Sequence, residues 1–396
     1  MPATRIYVAN GAVRWACERA FWPLFMTLLV TDVGLSPLQL VLLGTIYEAA
    51  IFVAEIPTGV VADLYSRRLS VIISYLVIGS SFVASALVSE YWMLVIAQIG
   101  IGIGFTFHSG AETAWITDEL GSSDDAEPLI LRRGQVQFVA AIIGISIFAL
   151  LAVITSLTFA VAATGLVLIA WGFVAMVVMD EHGFTRTAGD GWSEFAAMLA
   201  SGWALVRGIS PLRTLAIVIV IGGVAKEAID RLDIQRLVDV GIPEDTNEAL
   251  IVGVLVAIRL GIAAGLLAIV RRRIRGEQIV PALAAMLLGT AAGIGLLAHG
   301  GLLALAAIGL VSQGGLHSAT QPLVEAWTNT FATSNARATV HSFMGQAESF
   351  GEVIGGIALG TVAEVFTVPT AMTISAILFV GAALVSLQAR ATWGTG

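Results

Sequence analysis

The chain has 396 residues, of which 57% are hydrophobic and only 12% are charged, and its formal net charge is −8. A soluble domain carries about 25% charged residues because its surface must be wetted, so this composition excludes a soluble enzyme. Binding to nucleic acid is excluded too, since 28 acids outnumber 20 lysines and arginines and leave no basic surface. The class that remains is a protein embedded in a lipid bilayer.

Apolar segments long enough to cross a bilayer occur along the whole chain. A spanning helix needs about 20 apolar residues, and lipid admits helices but no open sheet, because unpaired backbone groups find no water there. The segments lie at 6–30, 37–62, 69–89, 91–118, 129–154, 157–179, 211–239, 248–270, 278–298, 301–330, 337–362 and 367–388. The predicted fold class is an all-α membrane protein, with twelve transmembrane helices in two pseudo-symmetric six-helix bundles.

The longest polar stretch separates the sixth segment from the seventh. The sequence therefore predicts an N-terminal six-helix bundle over 1–180, a cytoplasmic linker over 181–210 and a C-terminal six-helix bundle over 211–396. Within the linker, the piece from Trp192 to Val206 is amphipathic, and we expect it to lie as a helix on the membrane surface.

Short sequence matches indicate that the two halves are repeats of each other. Matched residues lie in the fourth and fifth segments of one half and in the tenth and eleventh of the other. The pairs are His108 with His317, Trp115 with Trp327, Gly134 with Gly345, Gln135 with Gln346 and Gly144 with Gly355. Halves related by a parallel repeat are typical of transporters that rock around a solute site at the bilayer midplane.

The arginines indicate which side of the membrane each loop occupies, because positive charges in short loops stay in the cytoplasm. With the N-terminus inside, the opposite loops hold acids such as Asp32 and Glu90 and none of the arginines. The cytoplasmic set is Arg5, Arg67, Arg68, Arg132, Arg133, Arg186, Arg207, Arg213, Arg271, Arg272, Arg273, Arg275, Arg337 and Arg390. The predicted location is the cell (inner) membrane, as a multi-pass protein with cytoplasmic N- and C-termini.

A motif follows the second segment. The run from Gly59 to Arg68 reads Gly-Val-Val-Ala-Asp-Leu-Tyr-Ser-Arg-Arg. It resembles the Gly-x-x-x-Asp-x-x-Gly-Arg-Arg signature of the major facilitator superfamily, at that family's position between the second and third spans. Two residues depart from the pattern: Leu64 stands where the family often has arginine, and Ser66 replaces the second glycine.

The resemblance implies a gating role for this motif. In the family the aspartate caps a helix of the other half, and the arginine pairs with an acid at the end of the fourth span; Asp63, Arg67 and Asp118 match those positions. The gating residues are thus Gly59, Asp63, Arg67, Arg68 and Asp118. The alternative is that Arg67 and Arg68 only set the orientation of the chain in the membrane.

We expect an ion gradient to supply the energy. The only lysine, Lys226, lies inside an apolar segment, so the chain has no Walker A loop, whose lysine must reach the phosphates of ATP. The lone Cys17 forms no internal disulfide and no cysteine metal site, and no spacing is typical of metal ligands or of a nucleophile with its base. The sequence therefore predicts no cofactor, no metal and no enzymatic activity.

The seventh segment holds the densest charge inside the membrane. Lys226, Asp230 and Asp233 share one helical face, and Glu227 and Arg231 lie on the adjoining face. An unpaired ion in apolar surroundings is costly, so these groups must face partners or water. Two interpretations stay open: a neutralised ladder that joins helices, or the lining of a translocation path.

Other candidates lie on segments that the resemblance places around a central cavity. Asn10, Arg14 and Glu18 share a face, and Glu18 is the first choice for coupling, because a carboxyl in a low-dielectric cavity can take up and release a proton. The proton-coupling candidates are Glu18, Asp230, Glu112 and Glu227. The substrate-cavity candidates are Asn10, Arg14, Trp15, Tyr47, His108, Trp115, Lys226, Gln313, His317 and Gln346. Packing is the alternative for the histidines and aromatics, and Arg259 is expected to pair with an aspartate of the seventh segment.

These observations predict a proton-coupled secondary transporter that works by alternating access. Its aromatic and acidic side chains favour the export of drug-like or amphipathic solutes, as in drug/proton antiporters of the family, although the fifth segment lacks the Gly-Pro pair common in such exporters. The alternatives are a proton symporter that imports a small metabolite and, in another class, a non-transporting membrane sensor or scaffold. The expected partners are a small-molecule solute, protons and the lipid bilayer, with no nucleic acid, and the chain is expected to be a monomer.

Overall fold

The computed structural model describes residues 2–185, 191–243, 246–333 and 336–389. Helices account for nearly all of these residues and no strand occurs among them, which confirms the predicted all-α class. Two of the arginines assigned to the cytoplasmic side, Arg186 and Arg390, lie outside the described residues.

Every apolar segment predicted from the sequence is helical, and so is the amphipathic piece of the linker. The helices are α1 (Ala3–Leu28), α2 (Pro37–Leu64), α3 (Arg67–Leu87), α4 (Tyr91–His108), α5 (Ala111–Leu120), α6 (Ser123–Ile154), α7 (Leu157–Val178), α8 (Gly191–Gly208), α9 (Ser210–Val240), α10 (Glu248–Arg273), α11 (Ile279–His299), α12 (Leu303–Ser318), α13 (Gln321–Phe331), α14 (Arg337–Val365) and α15 (Val368–Gln388). A π-helical turn (Leu29–Val33) extends α1, and a 3-10 turn (Gly276–Gln278) precedes α11.

The fourth and tenth predicted segments are each broken into two helices. In the fourth, α4 ends at His108, and Gly110 has a φ of +73° before α5 begins, a conformation that glycine adopts at little cost. In the tenth, α12 ends at Ser318, and Pro322 lies in the first turn of α13, where its missing N–H leaves no bond unmade. The matched histidines, His108 and His317, therefore lie at corresponding breaks.

The described chain divides into two compact units. The first comprises 1–33, 46–194 and 245–257, and the second comprises 34–45, 195–244 and 258–396. In the first unit α1 packs against α6 and α7, α3 packs against α4 and α7, and α6 packs against α7. In the second unit α9 packs against α14 and α15, α11 packs against α12 and α15, and α14 packs against α15. The same pairing pattern in both units is what a parallel repeat predicts.

Corresponding helix pairs in the two units pack through glycines. A Cβ atom on Gly144 of α6 would overlap the backbone of Ala16 in α1, and one on Gly355 of α14 would overlap the backbone of Val224 in α9. Lipid provides no hydrophobic drive between helices, so small residues that allow close backbone approach stabilise the contact. Gly144 and Gly355 are matched in the sequence repeat, so the repeat extends to the packing.

Eight helical stretches in the described residues are long and apolar enough to cross a membrane: α2, α3, α4 with α5, α6, α7, α10, α11 and α15. A ninth would be the pair of α8 and α9, which is bent by 116°. Charged or polar side chains interrupt the remaining long helices, which are α1, α14 and the broken pair of α12 and α13. Most of the candidate site residues lie on these helices and on α9. Outward apolar side chains such as Trp92 and Val177 are highly exposed, as contact with lipid requires.

Candidate functional site

Five ionisable side chains of the first unit form a buried cluster, which we call the N-cluster: Arg14, Glu18, His108, Glu112 and Arg133. Arg14 of α1 pairs with Glu18 one turn later, with 2.6 Å between Nε and Oε1, and its Nη1 hydrogen-bonds Nδ1 of His108. His108 Nε2 lies 2.9 Å from Glu112 Oε2, and Arg133 of α6 donates to the same carboxylate. The N-cluster thereby joins α1, α4, α5 and α6.

Access to solvent differs within the N-cluster. The side chains of Glu112 and Arg133 are 1% and 9% exposed, whereas that of Glu18 is 19% exposed. Two arginines balance two glutamates, so the buried ions are paired, as apolar surroundings require. Glu18 is the acid of this cluster that combines an arginine partner with access to solvent.

Arg133 is expected from the sequence to be one of the loop arginines, but the structure places it within α6. Its guanidinium lies inside the unit, 4.2 Å from the ring centre of Tyr7, and pairs with Glu112. A Cβ atom on Gly11 would overlap this guanidinium, so the glycine provides its space. The preceding Arg132 is exposed, because successive residues of a helix point about 100° apart. No signal in the sequence shows which of the two arginines faces inward.

Two predicted cavity residues of the first unit use their polar atoms in packing. Asn10 is fully buried, its Oδ1 accepts from Nε1 of Trp171 at 2.9 Å, and its Nδ2 lies 3.7 Å from the sulfur of Met179. Trp115 is also buried, and its Nε1 donates to the backbone oxygen of Asp180 at 2.8 Å. Both side chains tie α7 and its end to the rest of the unit, which favours packing over contact with a solute.

Trp22, Tyr47 and Phe105 form an aromatic ladder across α1, α2 and α4. The ring centres of Trp22 and Tyr47 are 5.3 Å apart, and those of Tyr47 and Phe105 are 6.5 Å apart. The Arg14 guanidinium lies 5.2 Å from the centre of Phe105, which connects the ladder to the N-cluster. Trp15 lies outside the ladder and packs against a phenylalanine of α6.

A second group of charged side chains, which we call the C-cluster, lies in the second unit. Its members are Lys226, Asp230 and Asp233 of α9, Arg259 of α10 and Glu352 of α14. Lys226 Nζ lies 2.5 Å from Glu352 Oε1 and 3.7 Å from Asp230 Oδ2. Arg259 Nη1 lies 3.3 Å from Asp233 Oδ2, so the expected pairing of Arg259 with an aspartate of α9 is present.

In the C-cluster, two buried acids each pair with a cation that is partly accessible. Asp233 is 6% exposed and holds Arg259, whose side chain is 25% exposed. Glu352 is 4% exposed and holds Lys226, whose side chain is 28% exposed. Asp230, at 34%, is the accessible acid. The buried acids thus pair with cations of other helices, while Lys226, Arg259 and Asp230 remain partly accessible.

Glu227 and Arg231 form a buried pair on the adjoining face of α9, with 3.2 Å between Oε1 and Nε, and a carboxylate oxygen of Glu227 lies within 4.8 Å of one of Glu352. A Cβ atom on Gly44 would overlap both side chains, which places the pair against the beginning of α2. Because this carboxylate is enclosed and paired, its exchange of protons with solvent is hindered. The contacts favour a packing role for Glu227.

The polar residues of α12 lie beside the C-cluster. Gln313 Nε2 lies 3.5 Å from Asp233 Oδ2, and the His317 ring packs edge-on against Phe379, with 5.4 Å between ring centres. His317 Nδ1 is buried and has no hydrogen-bond partner among the described residues, and the same holds for Oε1 of Gln346 on α14. Buried polar atoms without a partner are rare in proteins, so these two atoms call for a ligand or water.

The motif residues hold the ends of three helices together. Arg67 pairs with Asp118 at the end of α5, and Asp63, which is more than half exposed, lies 3.8 Å from Arg67. Arg68 Nε donates to the backbone oxygen of Met179 at 2.6 Å, at the end of α7. The described contacts of both arginines therefore fix α3 to α5 and to α7.

Ser66, which departs from the family signature, caps the N-terminus of α3. Its Oγ accepts from the backbone N–H of Leu69 at 2.9 Å and donates to Glu181 at 2.6 Å. Glu181 also accepts from the backbone N–H of Arg68 at 2.9 Å. A serine at this position satisfies a helix donor that a glycine would leave free. Around Gly59 the space is open, so a side chain would fit there.

The family model of the Major Facilitator Superfamily matches residues 7–356. No curated protein matches the chain closely enough to count as a relative. Among solved structures, the chain is similar to the nucleoside transporter NupG, with a TM-score of 0.78, 12% identity and coverage of 98% of this chain and 99% of that chain.

Two further solved structures extend the comparison. One is a POT family transporter in complex with 5-aminolevulinic acid, with a TM-score of 0.73, 12% identity and coverage of 99% and 96% of the two chains. The other is the human organic anion transporter MFSD10 (TETRAN), with a TM-score of 0.64, 15% identity and coverage of 98% and 100%. At these identities the likeness shows the fold alone.

Proposed function

The chain belongs to the major facilitator superfamily, and we propose that it is a proton-coupled secondary transporter that moves a small solute by alternating access. The family and the apolar helices make it a multi-pass membrane transporter and not an enzyme. The coupling groups are the accessible carboxylates Asp230 and Glu18, with Asp230 as the principal one.

The contacts of Asp230 carry this proposal. Lys226 Nζ lies 3.7 Å from the Asp230 carboxylate and is closer to Glu352, and Arg259 and His317 lie near the same carboxylate. A third of the Asp230 side chain is accessible, so a proton can reach it from water. Protonatable groups inside a membrane are costly and are usually retained for ion movement. Glu112, in contrast, is buried between two partners and has no such access.

The cargo follows from the groups that remain accessible. The C-cluster offers cations and an acid, which favours a small polar metabolite as the cargo. The solved structures similar in fold include a nucleoside transporter, a transporter in complex with 5-aminolevulinic acid and an organic anion transporter, and such solutes are small and polar. The aromatic ladder of Trp22, Tyr47 and Phe105 supports the second candidate, export of an amphipathic solute.

The test uses the purified full-length chain in sealed vesicles that contain a pH-sensitive dye. Addition of metabolites and of drug-like cations, one at a time, is expected to change the internal pH for at least one compound. Asp230→Asn and Glu18→Gln should abolish that change, whereas Glu277→Gln, at an exposed turn, should retain it. Opposite signs of the pH change distinguish import from export. If no compound moves protons with the native chain, a sensor or scaffold replaces the transporter proposal.

The proposed orientation places both termini in the cytoplasm, with the motif residues Asp63, Arg67 and Asp118 gating that side and the chain acting as a monomer. Cys17 is buried, so cysteines introduced at exposed turns can be labelled selectively. A cysteine replacing Glu277 should react with a membrane-impermeant reagent only after the cells are opened, whereas one replacing Glu90 should react in intact cells. The reverse pattern would contradict the orientation.

A further inference from the structure

Arg259 is fixed in position while its donors remain available. Its Nη1 is 3.3 Å from the carboxylate of Asp233, which is buried and holds the guanidinium in place. A Cβ atom on Gly314 would overlap its Nε, Cδ and Cζ atoms, so the guanidinium lies directly on the surface of α12. A guanidinium has five N–H donors in a rigid fork that suits carboxylate and phosphate groups. Arg259 is thus pre-organised for an anionic group.

Lys226 of α9 is likewise an accessible cation that is held by a buried acid. The buried Glu352 holds its ammonium group, and more than a quarter of the side chain stays accessible. Asp230, one turn further along α9, is the accessible acid beside it. The groups that a ligand can reach in the C-cluster are therefore two cations and one acid. Glu348 of α14, which is partly exposed, adds a second acid near Lys226 and Asp230.

His317 provides an independent indication that a ligand binds here. Its Nδ1 is buried without a hydrogen-bond partner in the described part of the chain. The charges of Lys226, Asp230 and Arg259 act on the ring, so His317 lies beside the accessible groups of the C-cluster. An unpaired buried polar atom is destabilising, and a solute atom that bonds to it would remove that penalty.

We propose that the solute is a zwitterion, whose anionic group binds to Arg259 and Lys226 and whose cationic group binds to Asp230. This inference rests on the proposed transport function and specifies its substrate class. A solute with only a cationic group gives Arg259 and Lys226 no anion to bind, and a solute with only an anionic group gives Asp230 no cation. A small amino acid with separated end groups satisfies all three residues, and His317 then hydrogen-bonds to it.

The experiment measures binding to the purified full-length chain by calorimetry at constant ionic strength. The probes are 4-aminobutanoate and 5-aminopentanoate as zwitterions, pentanoate as the anion alone and pentylamine as the cation alone. We expect at least one of the zwitterions to bind tightest. Asp230→Asn should weaken zwitterion binding, whereas pentanoate binding should not become weaker.

Arg259→Gln alone would leave Asp233 buried and unpaired, so the variant used is the double substitution Arg259→Gln with Asp233→Asn. Loss of one charged hydrogen-bond donor should weaken zwitterion binding on the order of 10- to 100-fold. Arg271→Gln, at an exposed arginine of the same helix, is the matched control and should bind normally.

Pentylamine binding as tightly as both zwitterions would overturn the proposal, as would unchanged binding to the double variant or the absence of binding by any probe. Vesicle measurements separate this failure from failure of the transport proposal. Proton movement driven by a solute without an anionic group would refute the zwitterion while transport stands. Zwitterion binding that depends on Arg259, without any proton movement, would refute proton coupling while the substrate class stands.

Discussion

Replacement of Arg133 tests whether charge buried in α6 stabilises the first unit. Arg133→Gln removes the cation paired with the buried Glu112 carboxylate, which keeps His108 and Asn10, and removes the contact with the Tyr7 ring. Removal of one partner from a buried ion pair costs about 3–5 kcal/mol, and the near-complete burial of both side chains leaves little solvent to reduce that cost. We expect Arg133→Gln to lower the free energy of unfolding by about this amount. The matched change at the exposed neighbour, Arg132→Gln, should have little effect.

Equilibrium unfolding in mixed detergent micelles, followed by tryptophan fluorescence, measures these differences. The double variant Arg133→Gln with Glu112→Gln removes both charges, so it should be more stable than the sum of the two single changes predicts. Equal stability of the two arginine variants would show that the charge of Arg133 is not buried. Strict additivity in the double variant would show that Arg133 and Glu112 do not interact.

Two further predictions concern glycines. Gly314→Ala places a methyl group in the space of the Arg259 guanidinium, so solute binding should weaken as in the Arg259 double variant. The control is Gly261→Ala, in open space on α10, which should bind solute normally. Calorimetry with 5-aminopentanoate measures binding to both variants. Gly183→Ala places a methyl group against the backbone of Asp118, so the segment after α7 should detach from α5. Hydrogen exchange measured by mass spectrometry should then become faster in this segment, while the amides of α7 stay protected.

Charge pairs one helical turn apart could be predicted from the sequence, and the resemblance to the family implied the pair of Arg67 and Asp118, but the partner of Lys226 could not be predicted. Arg14 and Glu18 are one turn apart, so the helical period alone brings them together. The partner of Lys226 is Glu352, 126 residues further along the chain. Several acids of the second half satisfy the same need for a counter-charge, so the choice depends on which helix faces meet. The breaks in the fourth and tenth segments are not predicted by the sequence either, because apolar residues lie on both sides of the short polar stretches that contain Gly110 and Pro322.

The sequence by itself determined the helical class, the positions of the helices and the repeat between the halves. Lipid imposes these features, because apolar length and internally satisfied backbone bonds are the requirements for crossing it. Only the tertiary structure decided which charges are buried and which are accessible: Arg133 faces inward and Arg132 outward, and Asp233 anchors an arginine while Asp230 remains open. Burial of an ion depends on the residues that surround it from several helices, and those residues are far apart in the chain.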